Sequence, residues 1–368
     1  MFAVGCGSSK APVAHVTTPS AIASPAASPS ASPTASPLRV PGACDQKHHC
    51  FALVTLLGSD KVVVRDVTDI NHPITVATIG LVGPPKFVNA SEVSFESDGG
   101  LVRQAVSGSP KMIVAPAGTD FDWSPLGTTA VYVIYKSSTD GGTIGELHTV
   151  SSGQDKVFAS GLQGPPLVWG CESQQCADGT STHLAYSPWG DFISWGQSLR
   201  PSFRLWTSDG VQPYPFQYPL VPSMEVWSDG DLYFSDSSGV ERYRDKSIAQ
   251  VLPGVAWIRP QASPGGGQIV YELRDSGGVA RVYLLTTASG SVREVAKGRS
   301  EPAFLTARYL WYRGERSCTA ADQCPTGTTV FNGKTYLYDL QTGVEYPSII
   351  TNVYDVWPHK GDVIQSLR

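Results

Sequence analysis

Six of the seven cysteines fall in three short polar loops: CDQKHHC (Cys44 and Cys50), CESQQC (Cys171 and Cys176) and CTAADQC (Cys318 and Cys324). Two chemistries suit such groups. Paired thiols close loops as local disulfides in an oxidising compartment. Thiols flanked by imidazoles, as Cys50 is by His48 and His49, can instead ligate zinc. Zinc sites, however, join a Cys-x2-4-Cys half-site to a second half-site of Cys or His, and these loops match that pattern poorly. Three disulfides are therefore expected, each closing about six residues and contributing about 2 kcal/mol. Other reactive groups are sparse. The seven histidines (His15, His48, His49, His72, His148, His183 and His359) are scattered, and no Gly-x-Ser-x-Gly elbow occurs. Asp-Gly pairs lack the full Asp-x-Asp-x-Asp-Gly calcium pattern and read as turns. No motif calls for a cofactor.

The elements that would position any site are strands. KVVVRDV, AVYVIYK, GELHTV, QIVYEL, RVYLLTT and KTYLYDL alternate with a period of two and are rich in β-branched and aromatic residues. Turn signals separate them, among them Ser97-Asp98-Gly99-Gly100, Thr139-Asp140-Gly141-Gly142 and Ser276-Gly277-Gly278. No convincing helix appears. The fold class is all-β: a sandwich, a barrel or a propeller.

Internal repetition selects among these. The segment from Pro85 to Phe95 aligns without gaps to that from Pro302 to Tyr312. A second version of the unit begins WSPLG at Trp123, YSPWG at Tyr186, WSDG at Trp227 and SPGG at Ser263. The units span 50–80, 84–117, 119–161, 165–217, 222–254, 255–298 and 301–350. Each would be one four-stranded blade, giving a seven-bladed β-propeller, or eight blades if both PPLVWG and HLAYSP open a sheet. PPLVWG with the CESQQC loop is read as an insertion. The first unit lacks an inner strand, opening on CFALVTLLG, and VYDVWP near the C-terminus would supply it, so that N- and C-terminal strands close the ring.

The Ser-Pro-x-Gly turns, best seen in HLAYSPWGDFISW, resemble the TolB-type, WD-repeat-like propellers of bacterial envelopes, across about 320 residues. That resemblance implies functional groups at the mouth of a central channel, on loops entering and leaving inner strands. Here those positions hold Lys86, Asp120, Glu225, Arg259, Glu301 and Asp355. A ring of mixed charge suits a small polar ligand or a partner's peptide. Trp123, Trp227 and Trp357 occupy equivalent repeat positions and read as packing between blades. Tyr214, Phe216 and Tyr218 in VQPYPFQYPLVP read as an outer strand, with a sugar- or peptide-binding face as the alternative.

The N-terminus places Val4 and Gly5 before Cys6, resembling the lipobox of bacterial lipoproteins, which implies lipidation at Cys6. Residues up to Ala43 then repeat Ala, Ser and Pro with little charge, as expected of a tether, so the domains are 1–43 and 44–368. The net charge of −5, with 27 Lys and Arg against 32 Asp and Glu, argues against nucleic-acid binding. No apolar run is long enough for a membrane helix, so the membrane would be reached through the lipid alone. The functional expectation is an exported, lipid-anchored, monomeric propeller that binds an envelope protein, peptide or glycan without catalysis. The alternative is a channel-site enzyme of the metal-dependent lactonase or lyase type.

Overall fold

The period-two runs become strands because each buries apolar side chains on both faces of its sheet. The computed structural model describes residues 44, 48–80, 83–97, 100–108, 112–115, 119–123, 127, 129–137, 143–162, 168–171, 182–186, 202–207, 210–217, 226–228, 231–235, 238–244, 247–264, 266–322, 324–325 and 328–358, with backbone alone over much of 158–227. These residues belong to one unit, Arg39–Arg368. Among the described residues, helix is confined to a single 3-10 turn, Ala320–Asp322. None of these residues forms a helix long and apolar enough to cross a membrane.

The described strands form seven four-stranded antiparallel sheets. In the first, β28 (Ile350–Trp357) lies beside β1 (Phe51–Leu56), followed by β2 (Val62–Asp66) and β3 (Ile74–Gly80). Phe51 stands opposite Trp357 and Thr55 opposite Asn352, so VYDVWP completes the sheet that CFALVTLLG opens. The second holds β4 (Lys86–Asn89), β5 (Glu92–Ser97), β6 (Gly100–Ala105) and β7 (Met112–Ala115). The third holds β8 (Thr119–Trp123), β9 (Thr129–Ser137), β10 (Thr143–Ser151) and β11 (Gln154–Leu162). The fourth holds β12 (Val168–Cys171), β13 (Thr182–Tyr186), β14 (Ser202–Thr207) and β15 (Gly210–Gln217). The fifth holds β16 (Val226–Ser228), β17 (Asp231–Ser235), β18 (Gly239–Arg244) and β19 (Ser247–Pro253). The sixth holds β20 (Ile258–Ala262), β21 (Gln268–Arg274), β22 (Ala280–Thr286) and β23 (Ser291–Lys297). The seventh holds β24 (Arg299–Phe304), β25 (Tyr309–Ser317), β26 (Thr329–Asp339) and β27 (Val344–Ser348).

The fourth sheet corrects the sequence reading. THLAY is its second strand, paired along β12, so VWGC is the first strand and the CESQQC loop joins two paired strands rather than forming an insertion. Both runs are short, apolar and alternating, and periodicity alone does not order two such runs within a sheet.

Packing between sheets explains the alternation. Ile269 and Tyr271 of β21 join Tyr233, Val240 and Trp257 on the fifth-sheet side. Val270, between them in sequence, joins Phe304, Leu310 and Tyr312 of the seventh sheet. The first sheet behaves alike: Ala52 and Val54 pack with Ala303, Leu305 and Trp311 of the seventh, and Leu53 with Phe87, Val93 and Phe95 of the second. Each fully buried aromatic or aliphatic side chain contributes roughly 1.5–3 kcal/mol through this burial. The Trp311 indole N–H also donates to the Ile350 carbonyl at 2.8 Å, tying the seventh sheet to the first.

The turns are chemically specified. Ser152 and Gly153, at φ 50° and 74°, make the two-residue hairpin turn between β10 and β11. In WSPLG the glycine is required by space as well as conformation. Gly127 has φ 64°, and a Cβ there would lie 2.5 Å from the Val88 carbonyl oxygen of the neighbouring sheet. Another buried turn anchor is Asp339, which accepts from the Gln341 amide at 2.9 Å and from Arg308 Nε at 2.8 Å.

Candidate functional site

The first strands of several sheets are not regular. In β20, Ile258 pairs with Glu272 and Gln261 with Val270, so Arg259 and Pro260 together face one residue, Tyr271. In β24, Ser300 pairs with Arg313 and Ala303 with Trp311, leaving Glu301 and Pro302 opposite Tyr312. In β8, Asp120 is the extra residue between Thr119 and Phe121. Three of the six charged positions named from the sequence are thus bulge residues, a device that re-aims side chains.

Arg259 and Glu301 also share a backbone conformation, with φ of 50° and 51°. Left-handed backbone costs a non-glycine residue on the order of 1–3 kcal/mol and persists only where the surroundings enforce it. Two contacts enforce it here. Arg259 Nη1 lies 2.8 Å from Glu301 Oε1, joining the sixth and seventh sheets. The Glu301 amide donates to Glu272 Oε2 at 3.0 Å.

Behind this pair lies a wider ion network. Glu301 is held from its other side by Arg313 Nη1 at 2.9 Å. The Arg313 guanidinium stacks 5.9 Å from the Trp311 ring centre and 5.4 Å from that of Phe331. Arg274, at the end of β21, reaches Glu272 at 2.8 Å and Glu315 at 2.9 Å, and donates to the Thr329 hydroxyl at 2.9 Å. The two carboxylates are almost out of water, with side-chain exposures of 1% and 7%. Their proton affinities diverge. Burial pushes the Glu272 carboxyl above the usual range, and the Glu301 amide, Arg274 and Arg259 only partly offset it. Burial acts on Glu315 too, but hydrogen bonds from Arg274, Thr329 and Ser300 outweigh it and hold that carboxyl low.

Two other named positions make contacts of their own. Lys86 opens β4, its ammonium 6.0 Å from the Phe121 ring centre on the next first strand. Asp355 is buried in β28 and accepts from the Phe87 amide at 2.8 Å, a bond between the first and second sheets. Asp120 is placed by its backbone only, and Glu225 lies outside the described residues. Trp123 is buried at 5% exposure and Trp357 packs 6.4 Å from Phe87, while the side chain of Trp227 lies outside the described residues. Tyr214 and Phe216 sit on β15, the fourth strand of its sheet, with side chains outside the described residues, as is Tyr218. Glu272, Arg274, Arg313 and Glu315 were not singled out from the sequence. The signal that could have found them is the matched pair Arg259-Pro260 and Glu301-Pro302, at the same offset in successive units.

Cys44–Cys50 and Cys318–Cys324 are disulfides, with Cα atoms 5.5 Å and 6.2 Å apart. Cys176 lies outside the described residues, as does the Cys171 side chain. Cys318, Asp322 and Cys324 are the one group of potential metal ligands close together among the described residues. They do not fit an ion. The thiols are joined to each other, and Asp322 accepts from Arg316 Nη1 at 2.6 Å and the Thr319 amide at 2.7 Å.

Successive four-stranded antiparallel sheets, packed face to face and almost without helix, define a propeller-like all-β protein. Two solved structures agree on the fold. The acylaminoacyl peptidase of Pyrococcus horikoshii superposes with TM-score 0.52 at 15% identity, over 81% of this chain and 50% of that one. An oligogalacturonate lyase in complex with manganese superposes with TM-score 0.50 at 12% identity, over 81% and 83%. TolB from Acinetobacter baumannii aligns at TM-score 0.43 and 12% identity, over 84% of this chain, which spans only 65% of TolB. No family model and no curated protein sequence matches the chain. At such identities the likeness is one of fold.

Proposed function

We propose that the protein is an extracytoplasmic binding scaffold. Its seven sheets form the blades of one propeller, closed where β28 pairs with β1, and a ligand or partner docks across the end where the first strands begin. The observation that carries this reading is the pair Arg259 and Glu301. Two adjacent first strands hold equivalent residues in left-handed backbone, at matching bulges, with their charges joined between sheets. Strain of this kind gathers at ligand clamps and active sites. Pairing argues for the clamp. Glu272, Glu301 and Glu315 are each bound to a guanidinium, which suits polar recognition better than proton abstraction or metal ligation. An envelope protein, peptide or glycan is the proposed occupant. The protein acts as a monomer, held to a bacterial membrane through lipid on Cys6 and an Ala/Ser/Pro-rich tether. Local disulfides support an oxidising compartment.

The test is a paired capture. The full chain and its Arg259→Ala/Glu301→Ala variant are immobilised and exposed to peptide and glycan fractions of envelope extracts. A ligand retained by the parent and lost by the variant is the expected result. Metal-dependent turnover in a lactone screen, with no such ligand, overturns the reading in favour of a channel-site enzyme.

A further inference from the structure

The Cys318–Cys324 loop leaves the end of β25 and returns at the start of β26, so its two ends are Ser317 and Thr329, which pair across the strands. From the end of β25, Arg316 grips Asp322 of the loop with both terminal nitrogens at 2.6 Å. The Thr319 amide and hydroxyl each reach Asp322 at 2.7 Å, and the Cys318 amide donates to the Thr328 carbonyl at 2.9 Å. These bonds and the disulfide form a bracket on the described residues of the loop, and directly after Thr328 comes Thr329. That residue's hydroxyl donates to Glu315 and accepts from Arg274 of the sixth sheet. One covalent bond in the bracket thus lies a few residues from the hydroxyl that helps hold Arg274 against the seventh sheet.

The two described disulfides differ in access. In the first, Cys50 is 1% exposed and packs in the core with Trp311 and Ala303 while its partner Cys44 is half-buried; in the second, Cys318 and Cys324 are both half-buried on a loop. Thiol–disulfide exchange requires a thiolate to approach a sulfur, and the loop bond has neither cysteine in the core, so it is the more accessible of the two.

We infer that Cys318–Cys324 is a redox control on the Arg274 charge cluster. The inference rests on the binding reading above only in giving that cluster a ligand to serve. The co-reactant is a reducing dithiol. One of its thiolates attacks a sulfur of Cys318–Cys324, forming a mixed disulfide, and its second thiolate displaces the protein sulfur. Two electrons and two protons pass to the protein, leaving two cysteine thiols, and the dithiol leaves as its own disulfide. The bracket then loosens, Thr329 no longer pins Arg274 and Glu315, and the seam between sixth and seventh sheets softens.

The experiment is hydrogen–deuterium exchange on the full chain during titration with dithiothreitol, with differential alkylation and mass spectrometry identifying which bond opens. Cys318–Cys324 opens before Cys44–Cys50. Exchange in peptides 268–274 and 299–316 rises about tenfold while 92–105 stays unchanged, as expected for loss of one local constraint. The Cys318→Ser/Cys324→Ser variant reproduces that pattern without reductant, and Thr329→Val reproduces it in 268–274 with the disulfide intact. Opened Cys318 and Cys324 with unchanged exchange in 268–274 overturn the proposal, as does Cys44–Cys50 opening first or a silent Thr329→Val. Exchange needs no ligand, so failure of the capture experiment leaves this result standing, and the reverse also holds.

Discussion

Replacing Arg274 with methionine removes the cation shared by two nearly dry carboxylates while keeping most of the side chain's apolar bulk. Glu272 then retains the Glu301 amide and the charge of Arg259, and Glu315 its hydroxyl donors. Breaking a buried ion pair by deleting one partner costs about 3–5 kcal/mol. The Arg274 side chain is 37% exposed, however, so water partly replaces it, and a loss of about 2–3 kcal/mol is the better expectation. For a domain of this size that is a fall in melting temperature of about 3–5 °C. The pH dependence supplies the sharper check. The folded protein holds the Glu272 proton more tightly than an unfolded chain does. As pH falls through that raised value the carboxyl neutralises and the penalty for lacking Arg274 shrinks. Melting curves from pH 8 to 5 should therefore show parent and Arg274→Met converging. Adding Glu272→Gln should restore part of the loss at pH 8, with a coupling energy above about 0.5 kcal/mol. A melting difference that is constant with pH, together with strict additivity, would refute the claim that Glu272 is charged and compensated by Arg274.

Removing residues 352–368 takes away most of the strand beside β1 and with it buried Val356. The whole transition should move down in temperature by calorimetry, and an unchanged melt would show that the strand is dispensable. Asp355→Ala leaves the buried Phe87 amide without its acceptor, at a cost of about 1–3 kcal/mol by urea unfolding. Asp339→Asn tests the acid limb. The Arg308 bonds, ahead of a backbone bond from Gln341, hold the Asp339 carboxyl well below the usual range. Its contribution is therefore complete above the unfolded carboxylate value of about 3.9 and is lost as pH falls through the lower native one. The variant should be less stable at neutral pH and show a shallower loss between about pH 4 and pH 1. An identical acid profile would exclude that contribution.

Much of the fold was legible because two-sided burial leaves a strong trace. QIVYEL could only be a strand with apolar residues facing both ways, and the turns around it are spelled by glycine and aspartate. The odd position of CFALVTLLG, with a surplus run at VYDVWP, was legible for the same reason. What periodicity could not carry was order within a sheet: VWGC and THLAY look alike until their pairing is known. The charge cluster was half legible. Arg259 and Glu301 were recognisable as strand-entry residues, but their contact depends on two bulges that hydropathy does not register. Glu272 and Arg274 end an alternating strand, where polar residues ordinarily face water. The burial of Glu272, and the carboxylate that Arg274 meets on Glu315, are set by the next sheet along the chain.

The opposite allegiances of Ile269 and Val270, one to each adjoining sheet, have a consequence for sequence tolerance. Every strand of this kind is a hinge-pin between two rooms, and what each room demands is bulk and greasiness rather than particular residues. Substitutions that preserve those two qualities can accumulate almost without limit, while the loops at either end drift freely. The same architecture can thereby be built from sequences only 12–15% identical, as in this chain, a lyase and a peptidase. In such molecules spacing and pleat carry the fold, and the particular letters carry little of it.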